Sequence, residues 1–121
     1  MTSRDQSTVL SFLPLPPLVF HILLSLTEAE RHGYALKRDI ARETRGSVNP
    51  GPGVLYGTIA RMVEQGLIEE SDERPDPHLD DERRRYYRIT SFGRRVAQAE
   101  GVRMRELVRR AEDLFGFPEK G

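Results

Sequence analysis

Two kinds of side chain in this sequence are suited to chemistry, namely an acidic cluster with one histidine and several groups of arginines. Carboxylates and histidine bind many divalent cations, and the chain places such residues close together at Asp76, His78, Asp80 and Asp81. A loop interrupted by prolines does little to pre-organise these ligands, however. We therefore interpret the cluster as a solvated loop and predict neither a metal site nor a cofactor.

The arginines are segregated along the chain although its formal net charge is zero. Residues 31–61 carry six basic side chains and two acidic ones, residues 64–82 carry nine acidic and one basic, and residues 83–95 carry six arginines and no acid. A basic surface can therefore exist on a neutral molecule. This distribution leaves nucleic acid open as a partner.

No grouping of residues predicts catalysis. The absence of cysteine excludes disulfides, thiolate zinc sites and a cysteine nucleophile. The three histidines lie on separate predicted elements, and no glycine-rich phosphate loop follows a predicted strand. We therefore predict that the protein is not an enzyme.

The length of 121 residues fits one domain with one additional helix. An apolar run over residues 9–26 contains three prolines and is too short to cross a bilayer, and no cleavage signal follows it. We expect no membrane segment and a cytoplasmic location.

Hydrophobic periodicity predicts four helices and one hairpin, with a polar break over residues 27–32. The predicted helices cover about 16–26, 32–45, 52–65 and 91–117, and the predicted strands cover 67–71 and 84–90. This order indicates a mainly α fold with a small β-hairpin (α+β), a winged helix-turn-helix with an added C-terminal helix. The expected organisation is a flexible N-terminal arm (1–13), a DNA-binding domain (14–90) and a dimerisation helix (91–117).

The third predicted helix has two different faces. Leu55, Ile59 and Met62 recur at helical spacing and should face the core. The opposite face is small, polar and uncharged apart from one arginine, and it carries Val54, Gly57, Thr58 and Arg61. A helix that needed only solubility would more often carry Glu and Lys there. This face therefore predicts contact with another molecule.

Three segments in this order resemble the PadR family of bacterial transcription factors. They are residues 32–36 (HGYAL), residues 52–56 (PGVLY) followed by Arg61 and residues 66–69 (GLIE), and residues 83–90 (RRRYYRIT) followed by Gly93. The resemblance implies a repressor that binds its operator as a homodimer. The short ending is similar to the compact subfamily with one C-terminal helix, in which planar hydrophobic compounds can bind between the subunits. The chain departs from that group because it has no tryptophan on which such a compound could stack.

The resemblance also implies which residues contact DNA. A helix fits the major groove, and the preceding helix and the wing contact phosphates beside it. The predicted contacts are Tyr34, Lys37, Arg38, Pro52, Gly53, Val54, Tyr56, Gly57, Thr58, Arg61, Arg83, Arg84 and Arg85. Some of these have a second interpretation. Tyr56 could pack on the second helix, the cationic side chains of that helix could be merely solvated, and the wing arginines could neutralise Asp80, Asp81 and Glu82.

The last predicted helix carries a stripe of apolar and small residues at alternating spacings of three and four, which is typical of a helix–helix interface. With the first helix it should form the dimer interface. The predicted interface residues are Leu18, Ile22, Ala97, Gly101, Met104, Val108, Ala111 and Phe115.

We therefore predict a DNA-binding transcriptional regulator that binds a pseudo-palindromic operator as a homodimer, with double-stranded DNA and a small hydrophobic effector as partners. The alternative is a winged-helix protein–protein interaction module that has lost DNA binding. The acidic wing loop and the neutral total charge favour that alternative.

Overall fold

A computed structural model of the chain describes residues 5–71 and 85–117. Within these residues the chain forms five helices and one three-stranded sheet. In chain order the elements are α1 (Gln6–Ser11), α2 (Pro17–Glu28), β1 (Arg31–His32), α3 (Gly33–Glu43), α4 (Pro52–Glu64), β2 (Ile68–Glu70), β3 (Tyr86–Ile89) and α5 (Ser91–Phe115). The predicted fold, a winged helix-turn-helix followed by a long helix, is confirmed.

The helix-turn-helix forms because both of its helices have strong local start and stop signals. The His32 Nδ1 accepts a hydrogen bond of 3.0 Å from the Ala35 N–H and so caps α3. After α3, Arg45 and Gly46 adopt positive φ angles of 54° and 83°, which turn the chain. Pro52 then occupies the first turn of α4, where its missing N–H leaves no donor unpaired.

The sheet has the order β1-β3-β2, and both pairs are antiparallel. In the β2–β3 hairpin Ile68 pairs with Ile89, which confirms the predicted wing strands. The third strand, β1, was not predicted, because a two-residue strand is too short to show an alternating pattern. Its Arg31 pairs with Tyr87. The predicted cluster of Asp76, His78, Asp80 and Asp81 lies outside the described residues.

One apolar core lies beneath the helix-turn-helix and the sheet. It includes the predicted inner face of α4, since Leu55, Ile59 and Met62 are all buried. The other buried side chains of the core are Val9, Leu15, Ile22, Leu23, Leu26, Leu36, Ile40, Leu67, Ile68, Tyr87, Ile89 and Val96. This core fixes α4 so that its opposite side faces solvent.

Residues 6–11 are part of the folded domain, which corrects the prediction of a flexible arm over 1–13. Asp5 caps α1 by accepting a hydrogen bond of 3.0 Å from the Thr8 N–H, which is the largest influence lowering the pKa of that carboxyl. Val9 is only 1% exposed and belongs to the core. A six-residue helix is too short to show a helical repeat in the sequence. Residues 1–4 lie outside the described residues.

The long helix α5 begins at the predicted cap, where the Thr90 Oγ1 accepts a hydrogen bond of 2.9 Å from the Gly93 N–H. Its first ten residues pack on the protomer through the buried Gly93, Val96 and Glu100. No helix in the described part of the chain is both long enough and apolar enough to cross a membrane.

Candidate nucleic-acid interface

Helix α4 presents one continuous exposed face on the side opposite its core contacts. Val54 is 63% exposed, which is a large fraction for an apolar side chain. Gly57 and Arg61 follow it at spacings of three and four residues and are also exposed. Pro52 and Gly53 are exposed at the start of the helix. Because glycine and valine project little, the backbone of α4 can approach a ligand closely on this face.

Thr58 does not belong to this face, which corrects one predicted contact. Its side chain is only 8% exposed, and its hydroxyl donates a hydrogen bond of 2.7 Å to the Val54 carbonyl oxygen. Thr58 lies three residues after Leu55 and four before Met62, so the helical repeat places it on the inner side. There it lines a cleft with Phe12 and other residues that precede or begin α2, and Arg61 lies at the same cleft.

Tyr56 lies between the two faces of α4, and its ring packs on Gly33 at the start of α3. A β-carbon added to Gly33 would lie 2.5 Å from Cε1 of this ring. Of the two interpretations of Tyr56, the structure therefore shows the packing on the second helix. Contact between its hydroxyl and a phosphate stays a prediction.

The predicted phosphate-binding residues of α3 lie near its start. Tyr34 is exposed, and the guanidinium carbon of Arg38 lies 5.9 Å from the centre of its ring. Lys37 is half-buried and donates a hydrogen bond of 3.3 Å to the Asn49 side chain in the turn before α4. Lys37 thus links the two helices of the motif while carrying a positive charge beside them.

The buried carboxylate of Asp39, for which no role was predicted, organises further arginines. Asp39 lies 3.0 Å from Arg42 and 3.3 Å from Arg31, with Arg38 at 3.9 Å. Arg31 also lies 3.2 Å from Glu28. Three guanidinium groups thus meet two carboxylates, and the cluster keeps a net positive charge. Arg42 could have been paired with Asp39 from their spacing of three residues. Arg31 could not, because it precedes the helix.

The wing arginines are only partly described. Arg85 is exposed and lies 3.5 Å from Glu70 across the hairpin, and Arg88 lies 2.8 Å from Glu69. The charge of Arg85 is thus partly neutralised by Glu70, a cross-strand partner that was not predicted. Arg83 and Arg84 lie outside the described residues, as do Asp80, Asp81 and Glu82.

The predicted dimer residues divide into two groups. Leu18 and Ala97 are half-buried against the protomer's own core, whereas Gly101, Met104, Val108 and Phe115 are exposed and Ala111 is half-buried. Ile22 is a wrong prediction, because it is 0% exposed within the protomer and cannot contact a second chain. A helix that is apolar on nearly every side does not show which of its residues its own chain covers.

Among the described residues, no group of histidine, aspartate and glutamate side chains is arranged to hold a metal ion.

Comparison with known proteins gives one family. The sequence pattern that defines the Transcriptional regulator PadR-like family matches residues 22–99, from the middle of α2 into α5. Over 52 residues the chain is 40% identical to the transcriptional regulator YqjI of Escherichia coli (strain K12). That match covers 43% of this chain and 25% of the relative, so the chain spans about a quarter of the length of that protein.

Solved structures share nearly the whole fold. A PadR-like transcriptional regulator from Bacillus cereus superposes with a TM-score of 0.67 over 92% of this chain and 99% of that one, at 21% identity. A PadR family regulator from Eggerthella lenta superposes with a TM-score of 0.66 over 93% of each chain, at 25% identity. The shared region includes the helix-turn-helix, the sheet and the long last helix.

Proposed function

Because the chain belongs to the PadR-like family of transcriptional regulators, which are not enzymes, we propose that it is a repressor that reads a specific DNA sequence as a homodimer in the bacterial cytoplasm. The observation that carries this proposal is the exposed face of α4, formed by Val54, Gly57 and Arg61. A face with small side chains and one guanidinium suits the major groove, where arginine can bind guanine through two hydrogen bonds.

Affinity would come from cations beside that face. Tyr34, Lys37 and Arg38 on α3 are placed to contact phosphates next to the groove, as the first helix of such motifs does. Arg85, with Arg83 and Arg84 before it in sequence, would contact the backbone from the wing. The ion pair with Glu70 lowers the net charge that Arg85 can offer, so we assign more of the affinity to α3.

The homodimer would form through the second half of α5. Two copies related by a two-fold axis place their α4 helices about 34 Å apart, one turn of DNA, on a pseudo-palindromic site. A small hydrophobic effector held between the subunits would change this spacing and release the operator.

The test is a comparison of two arginine variants on duplex DNA. We expect Arg61→Ala to weaken binding to a selected operator by roughly 5- to 150-fold, equivalent to about 1–3 kcal/mol. Arg110→Ala is the matched control, because it removes the same charge from an exposed position on α5 on the side opposite Val108. Both variants should remain dimers in sedimentation. Equal affinities for Arg61→Ala and the unmodified protein would contradict the assignment of α4.

A salt titration separates the proposal from the alternative of a protein–protein interaction module. Phosphate contacts release counterions, so the logarithm of DNA affinity should fall steeply and linearly with the logarithm of salt concentration. A flat response, or no DNA binding, would favour the alternative.

A further inference from the structure

Gly33 of α3 and the Tyr56 ring of α4 form a close contact between the two helices of the helix-turn-helix. A β-carbon on Gly33 would lie 2.5 Å from Cε1, 3.1 Å from the hydroxyl oxygen and 3.2 Å from Cζ of the Tyr56 ring. Any side chain at residue 33 would therefore overlap the ring. Gly33 is buried, so relief of the overlap would require the half-buried Tyr56 ring to leave its position. The observed position of the Tyr56 ring therefore requires glycine at residue 33.

The α3 side of this contact is held to the sheet. Gly33 is the first residue of α3, directly after His32, whose imidazole caps the helix. His32 also belongs to β1, where it pairs with Tyr86, and the two rings meet edge to face at 5.3 Å. The start of α3 is thereby held to the sheet. The Tyr56 ring thus packs on a part of the fold that is held by hydrogen bonds, strand pairing and ring contacts.

On the α4 side, the contact adds to the core contacts that position this helix. Tyr56 follows the fully buried Leu55 and precedes the exposed Gly57. The buried stripe of Leu55, Ile59 and Met62 seats α4 on the core. Tyr56 lies about 100° around the helix from Leu55, so its contact with Gly33 ties α4 to α3 outside that stripe.

We propose that Tyr56 is a positioning residue whose ring, seated on Gly33, sets the angle between α3 and α4 and so the sequence specificity of the protein. The ring fixes Val54, Gly57 and Arg61 relative to the phosphate-binding side chains of α3. A change of angle would move the base contacts out of register while leaving the charges of α3 in place. This inference rests on the proposed function, because it concerns the same surface.

The test measures affinity for a selected operator and for a scrambled duplex at one salt concentration, in four variants. We expect Tyr56→Phe, the conservative control, to keep the operator-to-scrambled ratio within about 2-fold, because it keeps the ring. We expect Tyr56→Ala and Gly33→Ala each to lower that ratio at least 10-fold while affinity for the scrambled duplex changes little. The double variant Gly33→Ala/Tyr56→Ala should be no worse than Tyr56→Ala alone, because the overlap disappears with the ring.

Two outcomes would overturn the proposal. If Tyr56→Phe weakens both duplexes alike, the hydroxyl contacts phosphate and the residue is a DNA contact. If the effects of Gly33→Ala and Tyr56→Ala multiply in the double variant, the two residues act independently. Should Gly33→Ala fail to fold, the comparison of Tyr56→Phe with Tyr56→Ala still decides between these roles.

A measurement without DNA keeps this inference distinct from the proposed function. The Gly33 α-protons lie against the Tyr56 ring, so their NMR resonances should be shifted by the ring current in the free protein and in Tyr56→Phe, and not in Tyr56→Ala. Unshifted resonances in the unmodified protein would overturn the helix contact itself. Shifted resonances combined with no specific DNA binding would instead overturn the proposed function, and with it the role of the contact in specificity.

Discussion

The two halves of α5 share one helix and one type of apolar spacing, yet only the first half is covered by its own chain. Over residues 91–100 the helix buries Gly93, Val96 and Glu100 in the protomer. Over residues 101–115 no residue is buried, and Phe115 is 84% exposed. A periodic apolar stripe therefore predicts that a helix face will be covered, but not which chain covers it.

The second half of α5 exposes several large apolar side chains. Besides Val102 they are Met104, Leu107, Val108, Leu114 and Phe115. Large apolar patches on a protein surface mark interaction sites. The comparison therefore divides α5 into a half that stabilises the fold and a half that we assign to assembly, and substitutions can test each half separately.

The largest expected effect is on assembly. We expect Val108→Asp to weaken dimerisation at least 100-fold, because two unpaired carboxylates would be buried in a two-fold interface. The variant should stay folded, since Val108 is half exposed in the protomer. Sedimentation equilibrium measures the dimer dissociation constant, and circular dichroism checks the helix content.

The matched control for this substitution is Val102→Asp. Val102 is exposed on the same half of α5 but lies about 120° around the helix from Val108. It should remain a dimer. If Val108→Asp dimerises as tightly as the unmodified chain, the second half of α5 is not the interface and the division fails.

The next effect is on the fold, and it compares one substitution in the two halves. A β-carbon at Gly93 would overlap the backbone carbonyl oxygen of Leu67, whereas a β-carbon at Gly101 would meet nothing within 4 Å. In the Val108→Asp background, which removes assembly from the measurement, we expect Gly93→Ala to lower the free energy of unfolding by about 3 kcal/mol. Gly101→Ala should instead raise it by about 0.5–1 kcal/mol, because alanine is the better helix former.

Urea denaturation of the two alanine variants measures both values. Similar changes in the two would contradict the structural difference between the halves, because they would mean that neither glycine is held against the protomer.

The sequence predicted those features that local patterns encode. The core face of α4, the starts of α3 and α4 and the cap of α5 each depend on residues within a few positions of one another, and all are confirmed. Contacts between distant segments leave no such pattern. The pairing of Arg31 with Asp39, the strand β1 and the hydrogen bond from Leu15 to Glu100 become visible only when the chain is folded. Ile22 was misplaced because α2 is apolar on nearly every side. Thr58 was misplaced because its polar side chain suggested exposure, although its spacing from Leu55 and Met62 places it on the inner side of α4.

Glu100 lies at the boundary between the two halves of α5. It is fully buried, accepts a hydrogen bond of 3.1 Å from the Leu15 N–H, and pairs with Arg103 through contacts of 2.6 and 2.9 Å. It thereby joins the segment before α2 to the last buried position of α5. The paired Arg103 guanidinium is the main cause that holds the pKa of this carboxyl below its ordinary value, and the Leu15 N–H lowers it further.

The smaller of the two expected losses of stability at neutral pH concerns this carboxylate, and it depends on pH. We expect Glu100→Gln to lower the free energy of unfolding by about 2 kcal/mol at pH 7, because it breaks charge-assisted hydrogen bonds. The pKa of Glu100 is depressed in the folded state, so the charged form stabilises the fold above the ordinary glutamate pKa of about 4.3. That contribution is lost as the pH falls below this value toward the folded-state pKa.

The difference in unfolding free energy between the unmodified chain and Glu100→Gln should therefore be constant from pH 7 to about pH 5 and should shrink below it. Urea denaturation over this range measures it. Glu106→Gln is the control, since Glu106 is exposed on the second half of α5, and its effect should stay within about 0.5 kcal/mol. If Glu100→Gln does not change the free energy of unfolding at pH 7, the cost of burying the carboxylate equals the stabilisation from its hydrogen bonds. The boundary between the halves would then be held by Val96 and its apolar neighbours alone.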